Sequence, residues 1–152
     1  MDNKKVILLV EDNPDDEELT LRALKKNHIQ NEVVVARDGV EALDYLLGTG
    51  AHTGRDLTHL PEVVLLDLKL PKVDGLEVLR RMKADPALKI IPVVILTSSR
   101  EESDLVKGYE LGTSAYVVKP VNFLQFVETV KELGLFWALI NEAPPGTAKK
   151  KP

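Results

Sequence analysis

Residues 63–67 read Val-Val-Leu-Leu-Asp, and this short stretch decides the fold. Its apolar run is too short for a helix and shows no polar alternation, which marks a strand covered on both faces, as in a parallel sheet. Val6-Ile7-Leu8-Leu9-Val10 repeats the pattern and ends in Glu11-Asp12. Val93-Val94-Ile95-Leu96 ends in Thr97, and Tyr116-Val117-Val118 ends in Lys119. In an open parallel sheet the carboxyl ends of the strands line one edge, where ligands bind. Glu11, Asp12, Asp67, Thr97 and Lys119 are therefore expected in one cleft. Carboxylates, a hydroxyl and an ammonium group together suit a divalent cation and a phosphoryl group.

Between these strands the apolar spacing turns helical. Asn13-Pro14-Asp15-Asp16 has the makings of a helix start: a capping side chain, proline in the first turn and acids at the positive end of the dipole. Leu19, Leu21, Ala23 and Leu24 supply that helix's expected apolar face. Val33-Val34-Val35 reads as a further strand, Asp38-Gly39 as a turn, and Ala42, Leu43, Leu46 and Leu47 as the face of a second helix. Residues 48–60, rich in Gly and Thr, have no periodicity and read as either a functional or a mobile loop. His52 and His59 in this loop do not have the spacing of a helical metal pair and read as solvated.

A turn through Pro71 and Asp74-Gly75 leads to a third helix on Leu76, Val78, Leu79 and Met82, which stops before Asp85-Pro86. A fourth helix is expected over about 101–111, ending at Gly112, and a fifth from about Asn122, facing inward with Phe123, Phe126, Val127 and Val130. Five strands alternating with five helices predict an α/β chain: a doubly wound, flavodoxin-like (βα)5 fold with a parallel five-stranded sheet in the order 2-1-3-4-5.

Composition sets bounds on function. The chain has 152 residues, 44% of them apolar, 29% charged, with a net charge of -4. That suits one globular domain and gives no global attraction for nucleic acid or anionic lipid. With no cysteine, thiolate catalysis and cysteine metal sites are excluded. No apolar stretch approaches membrane-spanning length and the first strand starts too early for a signal peptide, so a cytoplasmic protein is expected.

In the flavodoxin-like order the first and third strands adjoin, which makes Glu11, Asp12 and Asp67 neighbours. Carboxylates this close repel unless a cation sits among them, and a set without histidine favours a hard ion such as magnesium over zinc. Taken singly, Thr97 is equally an ordinary β-branched strand residue and Lys119 a surface charge. Asp67, nearest the centre, is the expected nucleophile, forming an aspartyl phosphate.

Glu11-Asp12, Asp67, Thr97 and Lys119-Pro120, in this order and spacing, resemble the receiver domain of two-component response regulators. The resemblance runs from about residue 4 to 135. It implies that Asp67 accepts a phosphoryl group from a sensor histidine kinase. It also implies that Asp12, Asp67 and the backbone carbonyl of Lys69 hold Mg2+ directly, and Glu11 through a water. Thr97 and Lys119 would engage the phosphoryl oxygens, with Thr97 and Tyr116 as the switch pair. Lys69 and Ser99 would tune the phosphate lifetime, and Ser98 is the small residue expected after Thr97. Glu11 departs from the more usual first Asp, a tolerated change.

The receiver domain is expected over 4–140, with an apolar extension at 136–140 and a disordered tail at 141–152. No output domain is expected after the fifth helix, so the signal would leave by protein contact. Leu135-Phe136-Trp137-Ala138-Leu139-Ile140 should either fold back on its own domain or pack on a partner. This segment and the 48–60 loop resemble single-domain regulators of bacterial phytochrome kinases. That resemblance implies a homodimer through helix four, strand five and helix five, with 136–140; the net charge and the short, isolated Lys149-Lys150-Lys151 run leave no nucleic-acid or membrane partner expected. The alternative is a magnesium-dependent small-molecule phosphatase of the haloacid-dehalogenase kind. Such enzymes carry a second Asp as general acid two residues past the nucleophile, where this chain has Lys69.

Overall fold

The computed structural model describes residues 5–26, 32–97 and 115–118, together with Leu124 and Glu128. The strands are β1 (Val6–Val10), β2 (Glu32–Ala36), β3 (Val63–Asp67), β4 (Val93–Thr97) and β5 (Ala115–Val118), with helices α1 (Pro14–Lys26), α2 (Gly39–Leu47) and α3 (Gly75–Ala84). All strand pairs are parallel and the sheet order is β2-β1-β3-β4-β5, as the strand pattern predicts. Every residue of β1 and β3 is buried, because helices cover both faces of the sheet. Leu8, Val10, Val64 and Leu66 point into the core beneath α2 and α3; Ile7, Leu9, Val63 and Leu65 face the opposite way, with Leu24 of α1.

Three details of the helices differ from the sequence reading. Leu19 is 40% exposed, and Thr20 is fully buried in its place, with its hydroxyl lacking a hydrogen-bond partner among the described residues. Leu47 is likewise exposed while Tyr45 is buried, because the inward stripe of α2 is set by Ala42, Leu43 and Leu46. Asp38-Gly39 and Asp74-Gly75 are helix starts. Asp38 accepts from the Glu41 N–H at 2.7 Å and Asp74 from the Glu77 N–H at 2.9 Å. Both obey the Asp-x-x-Glu spacing of a helix N-terminus.

The Glu41 N–H, assisted by Lys72 Nζ at 3.5 Å, holds the Asp38 carboxyl below its ordinary value of 3.8. Its contribution is therefore full above that value and fades as the pH falls below it. Asp38→Ala should cost about 1 kcal/mol in denaturant unfolding at neutral pH. The gap from wild type should narrow in acid; an equal gap at both pH values would contradict this role.

Residues 48–60 form an ordered loop. A 3-10 turn (Gly50–His52) opens it. Arg55 then ties it down: Nε donates to the Tyr45 carbonyl at 2.6 Å and Nη1 to the His59 carbonyl at 3.1 Å. The guanidinium also stacks 4.1 Å from the Tyr45 ring centre. Its Nη2 is buried without a hydrogen-bond partner among the described residues, which trims the gain. His52 is half-buried, with its ring edge-on to Tyr45 at 5.2 Å, so the solvated reading fails for it; His59 is exposed as expected. Arg55→Ala should raise hydrogen exchange across 50–59 about tenfold with little change in global stability, given the usual worth of such bonds. Unchanged exchange would mean that the loop is held by something else.

Helix four, most of helix five, Ser98, Ser99, Lys119 and the 136–140 extension lie outside the described residues. Leu124 and Glu128 are helical and exposed, while the expected inward face of the fifth helix, Phe123, Phe126, Val127 and Val130, lies outside the described residues. Among the described residues, no helix is long and apolar enough to cross a membrane.

Candidate functional site

Strand pairing builds the site. β1 and β3 run side by side with Val10 opposite Leu66, so Glu11 and Asp67 leave the sheet at the same level. Asp12 follows Glu11 in the link to α1. One carboxylate oxygen from each of Glu11, Asp12 and Asp67 lies within 4.8 Å of the other two. Glu11 is 0% and Asp67 5% exposed, whereas Asp12 faces solvent. Two screened acids and one open acid make a pocket with one wet side. At such separations like charges repel strongly, and an all-oxygen set of this kind suits a hard divalent cation.

Local hydrogen bonds fix the acids. The Asn13 N–H donates to Glu11 Oε2 at 3.2 Å, and the Lys69 N–H donates to Asp67 Oδ1 at 3.3 Å. The Lys69 side chain is exposed, while its backbone stands two residues beyond Asp67. On the other flank, Asp67 pairs in register with Leu96, and Thr97 ends β4 opposite Val118 of β5. The backbone thus brings Thr97 and the end of β5 to the edge that carries the acids. The side chains of Thr97 and Tyr116 lie outside the described set, as do Lys119 and Ser99.

Two residues that supported no site reading in the sequence frame this edge. Gly75 opens α3 with its N–H donating to the Leu68 carbonyl at 2.8 Å. A Cβ there would sit 2.3 Å from the Asp67 carbonyl oxygen, so the helix can approach the acid's backbone only without a side chain. Lys72, at φ 69°, turns the chain between Asp67 and α3 in a left-handed conformation that costs a non-glycine residue energy. Its ion pair with Asp38 helps hold that turn against the start of α2. The Asp-Gly pairs were the available signal for such close packing; nothing local marks Lys72.

The family match agrees with this geometry. Residues 7–131 match the response regulator receiver domain. The chain belongs to this family. Receiver domains of response regulators are signalling proteins, and the parallel α/β fold described above is theirs. The chain is 41% identical to the response regulator Rcp1 of Synechocystis sp. over 133 residues, 88% of each protein. The solved structure of the bacteriophytochrome response regulator AtBRR is 64% identical, with a TM-score of 0.80 over 91% of this chain and 99% of that one. The phosphorylated cyanobacterial phytochrome response regulator RcpA is 42% identical, with a TM-score of 0.76 over 94% of this chain and 99% of that one. Rcp1 has also been solved in a Mn(2+)-bound form, 40% identical, with a TM-score of 0.75 over 93% of this chain and 99% of that one. This receiver domain is thus a two-component signalling protein homologous to phytochrome response regulators, and the phosphatase alternative finds no support among these matches.

Proposed function

We propose that this receiver domain accepts a phosphoryl group on Asp67 from a sensor histidine kinase of the phytochrome type, in a Mg2+-dependent reaction, and signals through protein contacts. The observation that carries this reading is the convergence of Glu11, Asp12 and Asp67 at the carboxyl edge of the sheet. The Mn(2+)-bound form of Rcp1 and the phosphorylated form of RcpA add support by homology.

Asp12, Asp67 and the Lys69 carbonyl would hold Mg2+, with Glu11 acting through a water. When bound, the ion would offset the negative charge of the incoming phosphoryl group. The chain's own part is positioning. A free carboxylate oxygen of Asp67 attacks phosphorus in line, a P–O bond forms, and the P–N bond to the donor histidine breaks, returning the electron pair to the imidazole. The Lys69 N–H steadies the other Asp67 oxygen, while Lys119 balances phosphoryl charge and Thr97 reports its arrival to Tyr116. Lys69 and Ser99 flank the path of the water that later removes the group. Catalysis is confined to the protein's own phosphorylation and dephosphorylation.

The proposed domain spans 4–140, with the 136–140 extension joining helix four, β5 and helix five in a homodimer. The protein is proposed to be cytoplasmic, with no nucleic-acid or membrane partner. Incubation with acetyl phosphate should add one phosphoryl group, read by intact mass, only while a divalent cation is present. Multiple turnover of small phosphate esters would instead favour an enzyme.

A further inference from the structure

Asn13 lies between the acidic trio and α1, and its N–H, its carbonyl and its side-chain oxygen are all engaged in hydrogen bonds. Its N–H donates to Glu11 Oε2 at 3.2 Å. Its carbonyl accepts from the Glu17 N–H at 2.9 Å. Its side-chain Oδ1 accepts from the N–H groups of Asp15 at 2.8 Å and Asp16 at 3.1 Å. The residue thus caps α1 and, through the same rigid turn, fixes the peptide that joins Asp12 to the helix. It is exposed, so this is a hydrogen-bonding role rather than a packing one. An amide also satisfies the helix start without adding a fourth negative charge beside the trio.

We propose that Asn13 is a positioning residue for the divalent cation: its helix cap preorganises Glu11 and Asp12. Without the cap, the turn frays in the cation-free protein and binding must re-form it, so the cap's contribution appears as lost affinity. The inference rests on the assignment of Glu11, Asp12 and Asp67 to the cation.

The test is a Mn2+ titration of the full chain followed by electron paramagnetic resonance, with no phosphoryl donor present. Asn13→Ala should bind about fivefold more weakly, the effect expected of a lost cap. Asn13→Ser, which can cap, should return to within twofold of wild type. Asp85→Ala removes comparable side-chain bonds, to the Ala87 and Leu88 N–H groups, in the turn after α3 at the far edge of the sheet, and should leave affinity unchanged. Wild-type affinity in Asn13→Ala, failure of the Ser variant to recover, or equal weakening in Asp85→Ala would each overturn the proposal. Asp12→Asn separates the two levels. Should it bind Mn2+ as well as wild type, the site assignment itself is wrong; should it bind poorly while Asn13→Ala is normal, only the role of Asn13 fails.

Discussion

Asp67→Asn will take up no phosphoryl group from acetyl phosphate, under conditions in which wild type gains one by intact mass. Replacing one carboxylate oxygen by an amide nitrogen leaves the residue's size nearly unchanged, so β3 and its buried neighbours should stay in place. The chemistry changes entirely: the amide is a poor nucleophile and carries no charge. Asp12 and Glu11 are poor substitutes. Glu11 is fully buried with an oxygen held by the Asn13 N–H, and Asp12 lies on the open side of the trio. The expected loss is complete within detection, while the variant's unfolding midpoint stays at or above that of wild type, because one of three mutually repelling charges is gone. Phosphorylation at the wild-type level would place the acceptor elsewhere.

Gly75→Ala should damage both stability and phosphorylation. The added methyl would need to occupy space 2.3 Å from the Asp67 carbonyl oxygen and 2.7 Å from the Leu68 Cα, both backbone atoms that cannot rotate away. Relief requires α3 to slide outward or the end of β3 to shift. Overpacking of this kind costs about 1–3 kcal/mol. The functional effect should be larger, since moving a reacting group by roughly 1 Å can slow a reaction about a hundredfold. The expected result is a folded protein with a lowered unfolding midpoint and a phosphorylation rate down by about that factor. A normal rate would show that α3 does not set the position of Asp67.

The sheet was legible because its strands are buried on both faces. Uninterrupted runs such as Val6–Val10 and Val63–Asp67 have few other interpretations, and the polar residue closing each run marks the ligand edge. The acids were legible for the same reason: their positions at strand ends are a local property of the sequence. Helix faces were less so. Leu19 and Thr20 differ by one position around a helix, and tertiary packing rather than hydrophobicity decides which turns inward. The role of Gly75 was hidden because a glycine needed for space looks, in sequence, like a glycine needed for a turn. Arg55 was hidden because its partners are backbone carbonyls and an aromatic face, which have no sequence signature. That one side chain ties the 48–60 loop to the end of α2.

The central claim is that the acidic trio exists to make Asp67 a phosphoryl acceptor. It is tested most directly by borohydride reduction of the phosphorylated protein, followed by tandem mass spectrometry, since reduction converts an aspartyl phosphate to homoserine at the modified position. Homoserine at position 67 alone is the predicted result; homoserine at position 12, or no reducible acyl phosphate at all, would contradict it.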